Sequence, residues 1–280
     1  MIKDVSASIN PSAHYDRITE AWLLLLGQDL HYGVFESPDE PLPVATQRLS
    51  RMMANAAEFS AGMSFLDIGC GVGTSTRWAV DNFDLIGLGI STSTLGVGRA
   101  NQERRVDGSS AKLIFEVRDG MDTGLPSDSF DRAWALESSH LMRNRSEFLA
   151  ESFRVLRKSG RLVLCDIVLR QPVSFSVVRS LRAELNLLNR VFGDAKMETL
   201  ATYSNLGQKV GFAIDAVVDI SDDVRPTFSC WRKNAYLNRD EVTALIGEVG
   251  WKEFVDSCDV LESLWDRDML GYGLLSFVKD

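Results

Sequence analysis

Phe65-Leu66-Asp67-Ile68-Gly69-Cys70-Gly71-Val72-Gly73-Thr74 is the stretch that decides how this chain folds. An apolar run ends in Asp67, three glycines alternate with other residues, and a helical pattern begins near Thr76. That order is a strand feeding a tight turn into a helix. Glycine there permits positive φ and lets a ligand approach the main chain without a Cβ in the way. A nucleotide-like cofactor at a strand's carboxyl end is the natural occupant. The spacing of Gly69, Gly71 and Gly73 is G-x-G-x-G, whereas a dinucleotide fingerprint needs G-x-G-x-x-G.

Around this stretch the pattern alternates. Leu85–Ile90, Lys112–Val117, Phe130–Leu136 and Arg161–Asp166 read as further strands. Helices are expected from Thr92 to Arg105 and from Ser146 to Leu156, and Lys158-Ser159-Gly160 as a turn. Such alternation implies an α/β fold with a doubly wound parallel sheet and helices on both faces. Residues 1–60 look helical, broken by loop at Pro38, Pro41 and Pro43. From Val173 to Phe192, apolar residues at 177, 178, 181, 185, 188, 191 and 192 define one helical face, an insertion that would cap the sheet's carboxyl edge. Phe212–Ile220 is the next apolar run, Tyr236–Val249 another helix, and Gly271–Val278 a closing strand. The division expected is 1–60 as an N-terminal helical lid, 61–170 as the cofactor-binding core, 171–210 as the cap, and 211–280 completing the sheet.

Composition narrows the function classes. The 280 residues are 45% hydrophobic with a net charge of −9, which argues against a general electrostatic grip on nucleic acid or an anionic membrane. The four cysteines form no C-x-x-C pair or metal-like cluster, so a reduced, cytoplasmic protein without a metal is expected. No apolar run approaches membrane-spanning length, the longest compact one being Trp22–Leu26. A homo-oligomer is compatible with all of this.

Asp67-Ile68-Gly69-Cys70-Gly71-Val72-Gly73-Thr74 resembles the first motif of the class I S-adenosylmethionine (SAM)-dependent methyltransferases. Further segments agree: Arg118-Asp119-Gly120-Met121, Leu125-Pro126-Ser127-Asp128-Ser129-Phe130-Asp131, and Glu137-Ser138-Ser139-His140-Leu141-Met142. The last is similar to a segment of the small-molecule branch, whose members act on natural products, tocopherols and sugars. The resemblance implies a Rossmann-like seven-stranded sheet whose last strand is antiparallel. It implies that Asp67 orders the loop near the methionine moiety of SAM, that Gly69, Gly71 and Gly73 pass under the cofactor, that Asp119 accepts from the adenine amino group, and that the backbone at Gly120 and Met121 meets the ring. A charged acceptor beside an exocyclic amine also selects adenine.

Where the family usually carries an acid for the ribose, this chain has Gly89, and Ser91, Thr92 or a water would have to supply the contact. Glu137 and Ser138 are counted with the cofactor residues. Tyr15 and Tyr32 fall in segments similar to that branch's lid and could meet the sulfonium, or simply pack the N-terminal helices. His140 follows a strand end, where a histidine suits proton abstraction as a methyl arrives; the plainer alternative is packing. Asp166 would orient His140, bind a substrate hydroxyl, or cap a turn.

The expected activity is methyl transfer to an oxygen, nitrogen or carbon nucleophile of a small, largely apolar metabolite, in secondary metabolism. The apolar face at Val177, Leu181, Leu185, Leu188 and Phe192 favours such an acceptor, although core packing explains it equally well. A SAM-binding cyclase or isomerase would carry the same fold, and a nicotinamide-dependent oxidoreductase is disfavoured by the glycine spacing.

Overall fold

The computed structural model describes residues 11–106 and 112–280, with the side chains of 11–17 and 104–106 excepted. Seven strands make up a single sheet: β1 (Ser64–Ile68), β2 (Ile86–Ser91), β3 (Leu113–Val117), β4 (Phe130–Leu136), β5 (Leu156–Leu169), β6 (Phe212–Asp219) and β7 (Leu270–Lys279). Their order is β3-β2-β1-β4-β5-β7-β6, with β7 antiparallel to both of its neighbours and the other pairings parallel. The chain leaves β1 toward β2 on one side and returns to β4 on the other. That reversal opens a crevice above the carboxyl ends of β1 and β4, the place where doubly wound sheets hold ligands.

Both faces of the sheet are covered, so the central strands are apolar throughout rather than alternating. Period-two geometry still sorts their side chains. Phe65, Trp134 and Val163 join Leu49 and Met53 on one face, while Leu66, Ala133, Leu162 and Leu164 join Phe148, Leu149 and Tyr203 on the other.

Several element boundaries differ from the expectation, each for a local reason. Pro43 lies inside the first turn of the Leu42–Ala57 helix rather than in loop, since the first turn has no use for its missing N–H. Lys158-Ser159-Gly160 does not end a segment. Strand β5 runs through it as a bulge, with Ser159 at φ 62° and the register to β4 shifting between Phe130 and Arg132. The apolar face expected over 173–192 is carried by two helices, Phe175–Ser180 and Arg182–Phe192, joined at the buried Leu181. The Leu200–Val210 helix packs on the Arg145–Val155 helix and on β6. Between β6 and β7 the chain is more helical than expected, with Ser221–Val224, Thr227–Leu237 and Arg239–Asp266, the last kinked at Gly247.

These late helices form a layer with the Pro11–Leu25 and Arg182–Phe192 helices above the carboxyl edge. Asn234 and Asn238 donate side-chain amide N–H to the Leu25 and Leu24 carbonyls at 3.1 and 3.0 Å, satisfying the last turn of the Pro11–Leu25 helix. The Phe35 N–H reaches the Asp223 carbonyl at 2.9 Å and the Gly33 N–H the Thr227 hydroxyl at 3.2 Å. The N-terminal segment is therefore stitched to helices two hundred residues away in sequence.

The Arg145–Val155 helix begins directly after the His140 segment and is capped by Asn144, whose Oδ1 accepts from Ser146 N at 3.0 Å and Glu147 N at 3.3 Å. Asn144→Ala removes both bonds and should lower stability by about 1 kcal/mol, read as a reduced midpoint in urea denaturation.

Candidate active site

The loop after β1 has three glycines at positive φ, but they answer different demands. A Cβ on Gly69 (φ 94°) would lie 2.2 Å from the Ser138 Cβ, and one on Gly73 (φ 78°) 2.5 Å from the Phe115 ring. A Cβ on Gly71 (φ 54°) would meet nothing within 4 Å. The protein itself requires the outer two glycines, and the middle one faces open space. Asp67, buried beneath the loop, accepts from the Thr76 hydroxyl at 2.6 Å. Burial pushes its carboxyl up to about 6, against the pull of that bond.

The open space belongs to a cavity of about 350 Å³ bordered by Gly69, Gly71, Ser91, Thr92, Asp119 and Met121, among others. Gly120 and Ser138 line it as well. Asp119 is exposed there, one carboxylate oxygen accepting from Met121 N at 2.9 Å. The hydroxyl of Ser138 is committed to the protein, donating to the Ile68 carbonyl at 2.5 Å. At Gly89 a Cβ would fall 2.5 Å from the Phe115 ring and 3.0 Å from the Cys70 Cβ, so an acid has no room at that position. Ser91, Thr92, Ser93 and Arg118 are the polar groups along that stretch of wall.

His140 sits on the short turn Ser139–Leu141 after β4. Its Nδ1 lies 2.5 Å from Asp166 Oδ1 and its backbone N–H donates to Asp166 Oδ2 at 3.0 Å. Ser139 donates to the same Oδ2 at 2.5 Å and stands 2.7 Å from the Tyr203 hydroxyl. Arg145 continues the network, donating to the Tyr203 oxygen at 3.0 Å and to the His140 carbonyl at 3.0 Å. Its guanidinium also donates to the carbonyl of Lys196. Burial alone would raise the Asp166 carboxyl. Attraction to the His140 ring and the bonds from His140 and Ser139 outweigh burial and hold it below the usual carboxylate range. With Nδ1–H donated to Asp166, a neutral His140 has its acceptor lone pair on Nε2.

His140 borders a second cavity of about 460 Å³, whose wall is mainly apolar: Trp22, Leu181, Leu185, Leu188, Phe192 and Trp231 come from the helical layer. Tyr32 belongs to this wall and not to that of the smaller cavity. Its ring is packed within 6.0 Å of Phe228, Trp231, Trp265 and Tyr272. Tyr15 lies in the Pro11–Leu25 helix, but its side chain is outside those described. His31 has a structural place, with Nδ1 2.7 Å from the Tyr32 carbonyl and Nε2 3.5 Å from the Ser50 hydroxyl.

Glu137 is the one described residue common to both walls. It takes φ 48° at the end of β4 and accepts at Oε1 from Tyr32 N (2.7 Å) and the Tyr272 hydroxyl (2.5 Å). Burial pushes its carboxyl up to about 8 against those two bonds. No group of three or more His, Cys, Asp or Glu among the described residues could hold a metal, and no described helix is long and apolar enough to cross a membrane.

Residues 3–262 match the mycolic acid cyclopropane synthetase family. The chain belongs to that family. It is 33% identical to the 27-O-demethylrifamycin SV methyltransferase of Amycolatopsis mediterranei, over 95% of each chain. Against the methyltransferase GfsG of Streptomyces halstedii the identity is 30%, over 95% of this chain and 92% of that one. The cyclopropane synthase MmaA2 of Mycobacterium tuberculosis superposes with a TM-score of 0.84 at 19% identity over 96% of each chain. The [4+2]-cyclase SpnF does so at 0.82 and 22%, over 96% of this chain and 95% of that one. Those two likenesses establish the fold. The family and its named relatives establish a SAM-dependent methyltransferase.

Sequence reasoning missed three residues of this methyltransferase's polar network, namely Ser139, Tyr203 and Tyr272. Ser139 sat inside a quoted motif, and a hydroxyl beside a histidine was the available signal. Tyr203 and Tyr272 lie on a helix and a strand whose approach to the site depends on topology alone.

The glycines and Glu137 yield two tests. Gly71→Val should keep thermal stability within about 1–3 kcal/mol of wild type, the strain of a non-glycine at positive φ, while abolishing SAM binding in calorimetry. Gly69→Val and Gly73→Val should lose stability far more, because protein atoms occupy their Cβ space. Glu137 has a folded-state value raised from 4.5 to about 8. Its contribution to stability is therefore complete below about pH 4.5 and lost as the pH rises through about 8. Glu137→Gln should flatten that decline, a difference of a few kcal/mol in unfolding measured from pH 5 to 9.

Proposed function

We propose that this chain methylates a hydroxyl group of a small, largely apolar metabolite in secondary metabolism. The observation that supports this best is His140, held by Asp166, on the wall of an apolar cavity that meets the glycine-loop cavity at Glu137. The relatives named above are methyltransferases, and a further relative, 29% identical over 94% of this chain, is the O-methyltransferase cnsE of Penicillium expansum.

The smaller cavity has the groups that SAM requires. Open backbone at Gly69 and Gly71 would take the methionine part, the Ser91–Ser93 stretch the ribose, and the Asp119 carboxylate the adenine amine, while Asp67, buried beneath and bonded to Thr76, holds the loop in shape. Bound there, the cofactor supplies an electrophilic methyl group on a positively charged sulfur.

The chain's own task is to present the acceptor oxygen and remove its proton. Nε2 of His140 receives the hydroxyl proton, and the imidazolium so formed is stabilised by the Asp166 carboxylate already bonded to Nδ1–H. Asp166 also keeps the ring in the tautomer that accepts at Nε2. The surrounding leucines, Phe192 and Trp231 keep water away from the reacting oxygen and favour an apolar acceptor skeleton. Tyr203 and Arg145 act through Ser139 and the His140 backbone, as positioning residues.

Labelled SAM with a panel of hydroxylated, largely apolar acceptors tests the reading through the appearance of labelled methyl ether. Rearranged acceptor without label would replace it with a cyclase or isomerase. His140→Ala should lower kcat about 10²–10⁴-fold while leaving the SAM dissociation constant nearly unchanged. Equal losses in both would make His140 a cofactor residue. Leu185→Trp, which fills the apolar cavity, should raise the acceptor KM with little effect on SAM binding.

A further inference from the structure

Glu137 is placed where a donated methyl must cross. It alone among the described residues borders both cavities, and it is surrounded by protein while keeping accessible surface that faces them. Its backbone is pinned in the left-handed region by its N–H donating to the Cys165 carbonyl at 2.8 Å. Both hydrogen bonds to the carboxyl fall on Oε1, and Oε2 has no hydrogen-bond partner among the described residues.

The titratable groups facing it come from every neighbouring element. Tyr32 lies on the N-terminal loop and Tyr272 on β7, while Cys165 and Asp166 stand on β5 and His140 follows β4. Among the described residues no lysine or arginine forms an ion pair with Glu137, and the His140 ring is paired with Asp166. A buried carboxyl without a cation stays protonated at neutral pH, in keeping with the upward displacement described above. Lys196 on the wall of the larger cavity and Arg118, Asp119 and Arg143 on that of the smaller one are the other charged groups around it, and none of the three cations forms an ion pair with Glu137. The methyl donor brings a cation before transfer and leaves as a neutral thioether after it.

We propose that Glu137 reads the charge at the boundary between the cavities. It ionises when the cationic donor binds, releasing its proton to solvent, and regains a proton from solvent once the methyl has left. The protein thereby holds the donor more tightly than its demethylated product. The inference rests on the assignment of the smaller cavity to SAM. The ligand's own amino and carboxylate groups, and every other titratable group of the protein, are common to the donor and product complexes, so the difference between the two ligands isolates the sulfonium. Proton balance follows directly, since one proton leaves as SAM binds and one returns when S-adenosylhomocysteine remains.

Isothermal titration calorimetry of the intact protein in phosphate and in Tris, whose ionisation enthalpies differ, counts the protons released by each ligand. At pH 7, SAM should release close to one proton more than S-adenosylhomocysteine. The ratio of their affinities should rise with pH by up to about tenfold per unit between about pH 6 and 8, as linkage requires for one ionising group. In Glu137→Gln both effects should vanish while both ligands still bind. Equal proton release by the two ligands, or an affinity ratio flat across that range in the wild type, would overturn the proposal. Failure of wild-type protein to bind SAM at all would instead overturn the assignment of the cavity. The wild-type comparison between buffers decides the matter even if the variant does not fold.

Discussion

The Asp166 carboxylate, buried at the carboxyl end of β5, accepts the His140 ring N–H, the His140 backbone N–H, the Ser139 hydroxyl and the Ile167 N–H. Four donors on one charged acceptor set the end of β4 against the end of β5. A buried donor left without its acceptor costs the full desolvation of that group, so the turn carrying His140 has nowhere else to go. Through Ser139 the same carboxylate reaches Tyr203 and Arg145, and through Arg145 the backbone of Lys196 where the chain returns from the Arg182–Phe192 helix. The position of His140 and its tie to the helical layer thus depend on one acid.

Two cavities of different character lie on either side of the boundary at Glu137, the smaller one mixed, with Ile90, Met121, Leu141 and Met142 among its polar groups. One presents main chain, hydroxyls, the Asp119 carboxylate and two arginines beside its apolar residues, suited to a ligand that carries both hydrogen-bonding groups and a ring. The other is walled by leucines and aromatic rings. This division follows from construction. The polar cavity is made by turns at strand ends, which expose peptide groups, and the apolar one by helices that had to bury their inward faces.

What the sequence disclosed follows the same line. Motifs built from contiguous residues were legible, because β1, its glycine loop, Asp119 and the Glu137–His140 segment each have a local reason for their residues. The seven-stranded sheet and its antiparallel last strand followed from the resemblance, and the order of the strands came from the structure. The helical layer was only half legible: periodicity marks an apolar face on 181–192 but does not say that the helices over 227–266 come to meet it. Gly89 was legible as a missing acid, and its cause was not, since Phe115 reaches it from the neighbouring strand. Tyr272 was invisible as a partner of Glu137 because 135 residues separate them and only an antiparallel last strand brings them together.

The layer over the apolar cavity is assembled from three stretches of chain that have no strand among them, whereas the polar cavity hangs on the central sheet. Apart from Glu137, no described residue serves both. Divergence can therefore act on the two halves separately. Under the proposed assignment of the two cavities, exchanges among Leu181, Leu185, Leu188 and Phe192 would change which metabolite fits while leaving the walls of the donor cavity untouched. Those four positions are the ones to diversify in the laboratory, because none of them touches the other cavity.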